Sequence, residues 1–144
     1  MNTTELVEVA VNTWNARDND GFAALFDENC EITIPGGVLL RGAEGVQMFW
    51  HGYHNAFPDN QVVLRTALGS DDAGTEEAVF EGTHTGPLQS PDGSEIPPTG
   101  RHVAVPFVGV STIRSDKILS YRMYFDQVEL LTQLGLMPAP AASG

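Results

Sequence analysis

The stretch Lys117–Gly135, KILSYRMYFDQVELLTQLG, constrains the fold more than any other part of the chain. Apolar and aromatic residues crowd its first half, as in a strand. Asp126 then opens an amphipathic helix that Gly135 stops. A long strand running straight into a closing helix needs a sheet to lie in and a space to cover. Asp126-Gln127-Val128-Glu129, just before Leu130-Leu131, has the form of a capping box, with Asp126 at N-cap and Glu129 at N3. Backbone N–H groups hold an N-cap carboxylate ionised, which suits it poorly to donating a proton.

Upstream, residues 102–113 read as a strand apolar on both faces, Val103, Val105 and Phe107 against Ala104, Val108 and Val110. Ser115-Asp116 turns it into the opening stretch. If those two residues set the register alone, Val108 and Val110 share the face of Tyr121 and Met123. A bulge puts Phe107 and Gly109 there instead. Residues 61–68 and 76–85 predict two more strands, the second alternating with Ala78, Phe80, Gly82 and His84 on one side. Residues 86–100, with Pro87, Pro91, Pro97 and Pro98, predict a loop.

The first half is helical. Thr3 or Thr4 can cap a helix running to about Arg17, with Leu6, Val7, Ala10, Val11 and Trp14 on one face. A short second helix carries Phe22, Leu25 and Phe26. A brief strand over 30–34 ends at Pro35-Gly36-Gly37. A third helix, about 43–57, has Val46, Phe49, Trp50, Tyr53 and Phe57 on its apolar side. Three helices, then four strands joined as antiparallel neighbours, then a closing helix, make an α+β domain over residues 1–136. Residues 137–144 predict a mobile tail. A sheet this long curves, and the helices pack into its concave side. The doubly apolar strand implies cover on the outer face too, and a homodimer through the sheets is the simplest partner.

The 19 acidic residues outnumber the 7 basic ones, for a net charge of −12. A phosphate backbone is repelled by such a surface, so nucleic acid is not an expected partner. No apolar run approaches the ~18 residues that span a bilayer, and no cationic segment precedes an apolar one at the N-terminus. The expectation is a cytoplasmic protein without a membrane partner. Cys30 is alone, which leaves no internal disulfide and no cysteine-rich metal site.

Four patches carry a family resemblance: Arg41-Gly42-Ala43-Glu44-Gly45-Val46, Gly82-Thr83-His84-Thr85-Gly86, Ile96-Pro97-Pro98-Thr99-Gly100-Arg101, and the stretch from Lys117-Ile118 through Tyr124-Phe125-Asp126 to Gln133-Leu134-Gly135. In this order the chain resembles the SnoaL-like polyketide cyclases of the nuclear transport factor 2-like superfamily. The resemblance implies a cone-shaped barrel, a curved and mostly antiparallel sheet with three N-terminal helices and a short C-terminal helix over its concave face. It also implies a cofactor-independent, metal-independent cyclase or isomerase of natural-product biosynthesis acting on a hydrophobic polyketide-type substrate. In that family an acid on the last strand moves the proton, and here Met123 stands at its position. The pocket is then expected to work more by shape than by acid/base chemistry.

Tyr121, His84 and Asp126 are the candidate catalytic residues. Each has a structural reading as well: a core tyrosine, a loop-anchoring histidine and a helix cap. Trp14, Trp50, Tyr53, Met123 and Phe125 are the candidate substrate wall, or equally a core. Two other readings are a non-catalytic binder of a hydrophobic small molecule and an epoxide-opening cyclase or hydrolase. The latter needs two acids from Glu31, Glu81 and Asp126 to converge inside the cavity. The position after the first strand, where a steroid-isomerase-like acid would sit, is Pro35-Gly36-Gly37.

Overall fold

The structure, a computed structural model, describes residues 1–138. Helix α1, Thr3–Asn15, is capped by Asn2, whose side chain accepts the Glu5 N–H. The threonines expected there do not cap it. Thr3 is buried, and its hydroxyl donates to the Ser70 carbonyl at 2.6 Å. Arg17, at φ 59°, breaks the chain into α2, Asn19–Ala23, which Asp18 caps.

The first strand is longer than its sequence pattern: β1 spans Phe26–Ile34 and β2, Val38–Arg41, folds back on it. Gly36 and Gly37, both at positive φ, make that turn. Helix α3, Gly42–Ala56, follows, then β3, Gln61–Gly69, and β4, Ala73–Thr83. The predicted loop contains a small hairpin of β5, Leu88–Gln89, and β6, Glu95–Ile96. Strands β7, His102–Arg114, and β8, Lys117–Tyr124, lead to α4, Gln127–Gln133. Of the tail expected at 137–144, residues 139–144 lie outside the described residues.

Six strands form one curved sheet in the order β2-β1-β8-β7-β4-β3. Every strand has an antiparallel neighbour, but β1 also lies parallel to β8, with Ile32 opposite Tyr121. The four strands expected as antiparallel neighbours, β3, β4, β7 and β8, pair that way, and the parallel partner is β1, which leaves the sheet mostly antiparallel. β1 and β8 are separated by most of the chain, so no hairpin dictates their direction. The helices cover the inner face: Trp14 of α1, Phe22 of α2, and Phe49 and Trp50 of α3 pack with Ile32, Ala78, Phe107 and Met123 of the sheet in one buried cluster.

The register of β7 on β8 resolves the open alternative. Ser115 and Asp116, both at positive φ, make a two-residue turn with Arg114 opposite Lys117. Pairing then shifts: Ile113 faces Ile118 but Thr112 faces Ser120, which leaves Leu119 as a bulge. Beyond the bulge Ser111 faces Tyr121 and Gly109 faces Met123. Phe107, Gly109 and Ser111 therefore look inward with Tyr121 and Met123, and Val108 looks out.

Candidate active site

Between the helices and the sheet lies an apolar cavity of about 90 Å³. Trp14 of α1, Phe49 and Tyr53 of α3, Phe107 of β7, Met123 of β8, and Phe125 and Leu130 at the closing helix form much of its wall. Its polar groups are few: Glu76, Tyr121, Tyr53 and Ser111. Among the described residues no Lys, Arg or His lines it.

Glu76 sits on β4 directly opposite Gly109 of β7, and Gly109 sits opposite Met123 of β8. The three form one row across the sheet. Glu76 is only 7% exposed, and among the described residues no cation pairs with it. Its partner is Tyr121, whose hydroxyl donates to Glu76 Oε1 from β8, so the hydrogen bond passes over the whole width of β7. Burial raises the Glu76 carboxyl above the ordinary carboxylate range, while the Tyr121 hydrogen bond works against that rise. Burial also raises Tyr121, and the nearby Glu76 charge adds to the effect. Tyr53 is raised by burial alone. Both phenols stay protonated at neutral pH, as donors, and Glu76 is the group able to exchange a proton. Tyr53 and Ser111 bring two more hydroxyls to the same wall.

Of the three catalytic candidates, Tyr121 alone reaches this cavity. His84 is fully buried elsewhere, as an anchor for the loop before β7. Its Nδ1 accepts the Thr99 N–H at 3.1 Å and meets the Thr99 hydroxyl at 3.0 Å, while its backbone pairs with Gly100 and Arg101. Burial lowers its pKa against a smaller opposing pull from the Gly86 carbonyl, yet Nε2 meets no group in hydrogen-bonding geometry. Asp126 is exposed and caps α4, accepting the Val128 and Glu129 N–H groups at 2.9 and 3.2 Å.

Of the five residues read as a candidate wall, Trp14, Tyr53, Met123 and Phe125 line the cavity and Trp50 does not. It lies behind Trp14 in the core, 5.1 Å from it centroid to centroid and 4.2 Å from the His54 ring. Trp14 itself is pinned by Asn60, which accepts its Nε1–H at 2.7 Å and reaches His54 Nδ1 at 3.0 Å. The acids needed to open an epoxide do not converge. Glu31 pairs with Arg41 at 3.6 Å on the outer surface, and neither it, Glu81 nor Asp126 lines the cavity. Among the described residues no three His, Cys, Asp or Glu side chains gather as a metal site, and no helix is long and apolar enough to cross a membrane.

A curved sheet closed by helices over an apolar cavity is the nuclear transport factor 2-like, ketosteroid isomerase-like architecture. The chain belongs, more narrowly, to the SnoaL-like polyketide cyclase family, whose model matches residues 4–134. Among solved structures it is similar to a candidate SnoaL-like polyketide cyclase from Jannaschia sp. CCS1, at 22% identity and a TM-score of 0.81 over 93% of this chain and 92% of that one. It is similar also to IdmH, a candidate polyketide cyclase from Streptomyces antibioticus, at 24% identity and a TM-score of 0.74 over 91% and 96%. A protein from Catenulispora acidiphila with a ketosteroid isomerase-like fold matches at 20% identity and a TM-score of 0.76 over 98% and 99%. No curated protein matches the sequence.

Proposed function

We propose that this chain is a cofactor-independent cyclase or isomerase for an uncharged, hydrophobic polyketide-type substrate, acting in the cytoplasm in natural-product biosynthesis, with Glu76 as its acid/base. The observation that carries this reading is a carboxyl buried in an apolar cavity and hydrogen-bonded by a phenol from two strands away. Burial raises the pKa of such a group above that of an ordinary carboxylate, which makes it a stronger base toward a carbon acid. An anionic substrate would meet Glu76 with no cation to offset it.

In the reaction, Glu76 takes a proton from the carbon beside a substrate carbonyl, and the carbonyl oxygen gains the negative charge. Tyr53 or Ser111 donates a hydrogen bond to that oxygen. In ring closure the enolate carbon bonds to a second carbonyl of the folded chain, and the new alkoxide takes the proton back from Glu76. In isomerisation the proton returns to a different carbon. Electrons and protons balance within the substrate and Glu76. The apolar wall contributes by holding the chain folded. Met123, where the family resemblance expects an acid, is then part of the wall, and the acid stands on the same row at Glu76.

Proton transfer can be tested without the natural substrate by using 2-tetralone, a neutral bicyclic ketone. In D₂O the wild-type protein should speed deuterium entry beside its carbonyl, read by proton NMR, and Glu76→Gln should lose about 100-fold or more of that rate. If 2-tetralone quenches tryptophan fluorescence, and so enters, yet no exchange above buffer is seen, the enzyme reading falls and a binding protein takes its place.

The same proposal includes a homodimer through the outer face of the sheet, where Val63, Val108 and Tyr124 are 48%, 38% and 57% exposed. Light scattering should give twice the chain mass, and Val108→Asp should halve it. A monomeric wild type at micromolar concentration would remove the dimer from the reading.

A further inference from the structure

Gly109 lies in the interior of the thirteen-residue strand β7, where a glycine weakens pairing and packs nothing. Its φ is not positive, so the backbone does not call for glycine there. What calls for it lies above the strand. A Cβ at this position would stand within 2.6 Å of three atoms: the Tyr121 hydroxyl oxygen, Tyr121 Cε1 and Glu76 Oε1. Neighbouring strands run ~4.8 Å apart, so β4 and β8 are separated by about twice that distance. Glu76 and Tyr121 close that gap only by reaching toward each other over β7, and Gly109 is the residue of β7 on that path.

We propose that Gly109 is a positioning residue for the acid/base chemistry: its missing side chain is the opening through which Tyr121 reaches and orients the Glu76 carboxyl. This inference rests on the reading of Glu76 as the acid/base. A methyl group at this position stands under 3.0 Å from the ends of both side chains, so the Tyr121 ring and the Glu76 carboxyl must shift, and their hydrogen bond, which passes over this point, is what gives way. Glu76 keeps its place in the cavity but loses the partner that fixes which oxygen faces the substrate. A displacement of about 1 Å at a reacting group can cost on the order of 100-fold in rate.

The test is Gly109→Ala, alone and combined with Tyr121→Phe, in the 2-tetralone exchange assay with the fold checked by circular dichroism. Gly109→Ala should slow exchange by about 100-fold and move the acidic limb of the pH profile upward, because the Tyr121 hydrogen bond that opposes the rise of Glu76 is gone. In the Tyr121→Phe background the same change should cost far less, since the hydrogen bond is already absent. A merely structural role predicts an unmoved pH profile and equal losses in both backgrounds, and either result overturns the proposal. Exchange at the wild-type rate in Gly109→Ala, with Glu76→Gln inactive, also overturns it while leaving the Glu76 reading intact. Loss of exchange only in Gly109→Ala, with Glu76→Gln fully active, refutes that reading instead. Thermal melting of Gly109→Ala, Tyr121→Ala and the double variant needs no substrate. The Tm lost through Gly109→Ala should be smaller once the tyrosine ring is removed, and an undiminished loss shows that the clash is not with the pair.

Discussion

Tyr121 and Glu76 are hydrogen-bonded across a strand to which neither belongs, and this places the buried carboxyl of the cavity under the control of a phenol. Replacing Tyr121 by Phe removes the influence that holds Glu76 down and leaves the burial that pushes it up. The carboxyl should then lose its proton only at higher pH. Exchange of 2-tetralone should fall most at acidic pH and recover as pH rises, with the whole acidic limb displaced upward. A pH–rate profile of the two proteins checks this, and an unmoved limb would mean that Tyr121 is only a packing residue.

The cavity should choose ligands by charge. Among the described residues it presents one carboxyl, three hydroxyls and no Lys, Arg or His. Bringing an anion there removes its hydration and sets it beside Glu76 with no cation to compensate. Neutral 2-naphthol should quench the fluorescence of Trp14, while 2-naphthoate of nearly the same shape should bind at least ~10-fold more weakly at pH 7. Comparable affinity for the two would point to a binding place outside this cavity.

A different buried group should show in stability. His54 lies tilted against Trp14 and Trp50, with ring centroids 4.1 and 4.2 Å away, and its pKa is pushed down to about 4, first by burial and then by the Arg17 and His51 charges. A depressed histidine binds its proton more readily in the unfolded chain, where its value is near 6.5. Between pH 6.5 and 4 the unfolded state therefore takes up more protons, and stability falls as pH falls. Glu76 runs the other way: its raised pKa gives stability that is fully present below its unfolded value and is lost as pH rises through its folded one. Thermal melts of wild type and His54→Leu from pH 7 to 4 separate the two. The variant should melt lower at pH 7 and lose less Tm on acidification, and a parallel pair of curves would refute the histidine's part.

The fold was largely legible because periodicity and turn residues are local. Asp126 at the head of α4, Gly135 behind it and Ser115-Asp116 between the long strands each act within a few residues. Register across the sheet is not local. The Leu119 bulge decides whether Phe107 or Val108 faces the helices, and nothing in the neighbouring residues requires it. The parallel pairing of β1 with β8 joins distant parts of the chain for the same reason. Glu76 carried a usable signal: the alternation through Ala78, Phe80, Gly82 and His84, continued one step back, puts it on the inward face. A glutamate near the start of a strand ordinarily faces water, and only the hydrogen bond from Tyr121 explains why this one does not. Trp50 and His84 were misleading in the opposite sense, since a helical stripe and a histidine signature fit a core and a loop anchor as well as a pocket.

Asp126 provides the control that separates stability from chemistry. Its carboxylate satisfies two of the N–H groups at the start of α4, and that helix carries Leu130 to the cavity wall and Leu134 into the buried cluster with Phe57, Val103 and Val105. Asp126→Ala should cost about 1 kcal/mol by loss of the cap. The cap lies outside the cavity and holds no proton that the reaction uses, so exchange per folded molecule should stay within a few-fold of wild type. Urea melts and the 2-tetralone assay at 25 °C read the two quantities on one preparation. A rate loss as deep as that of Glu76→Gln, with stability lowered only by the cap, would move the acid from Glu76 to Asp126.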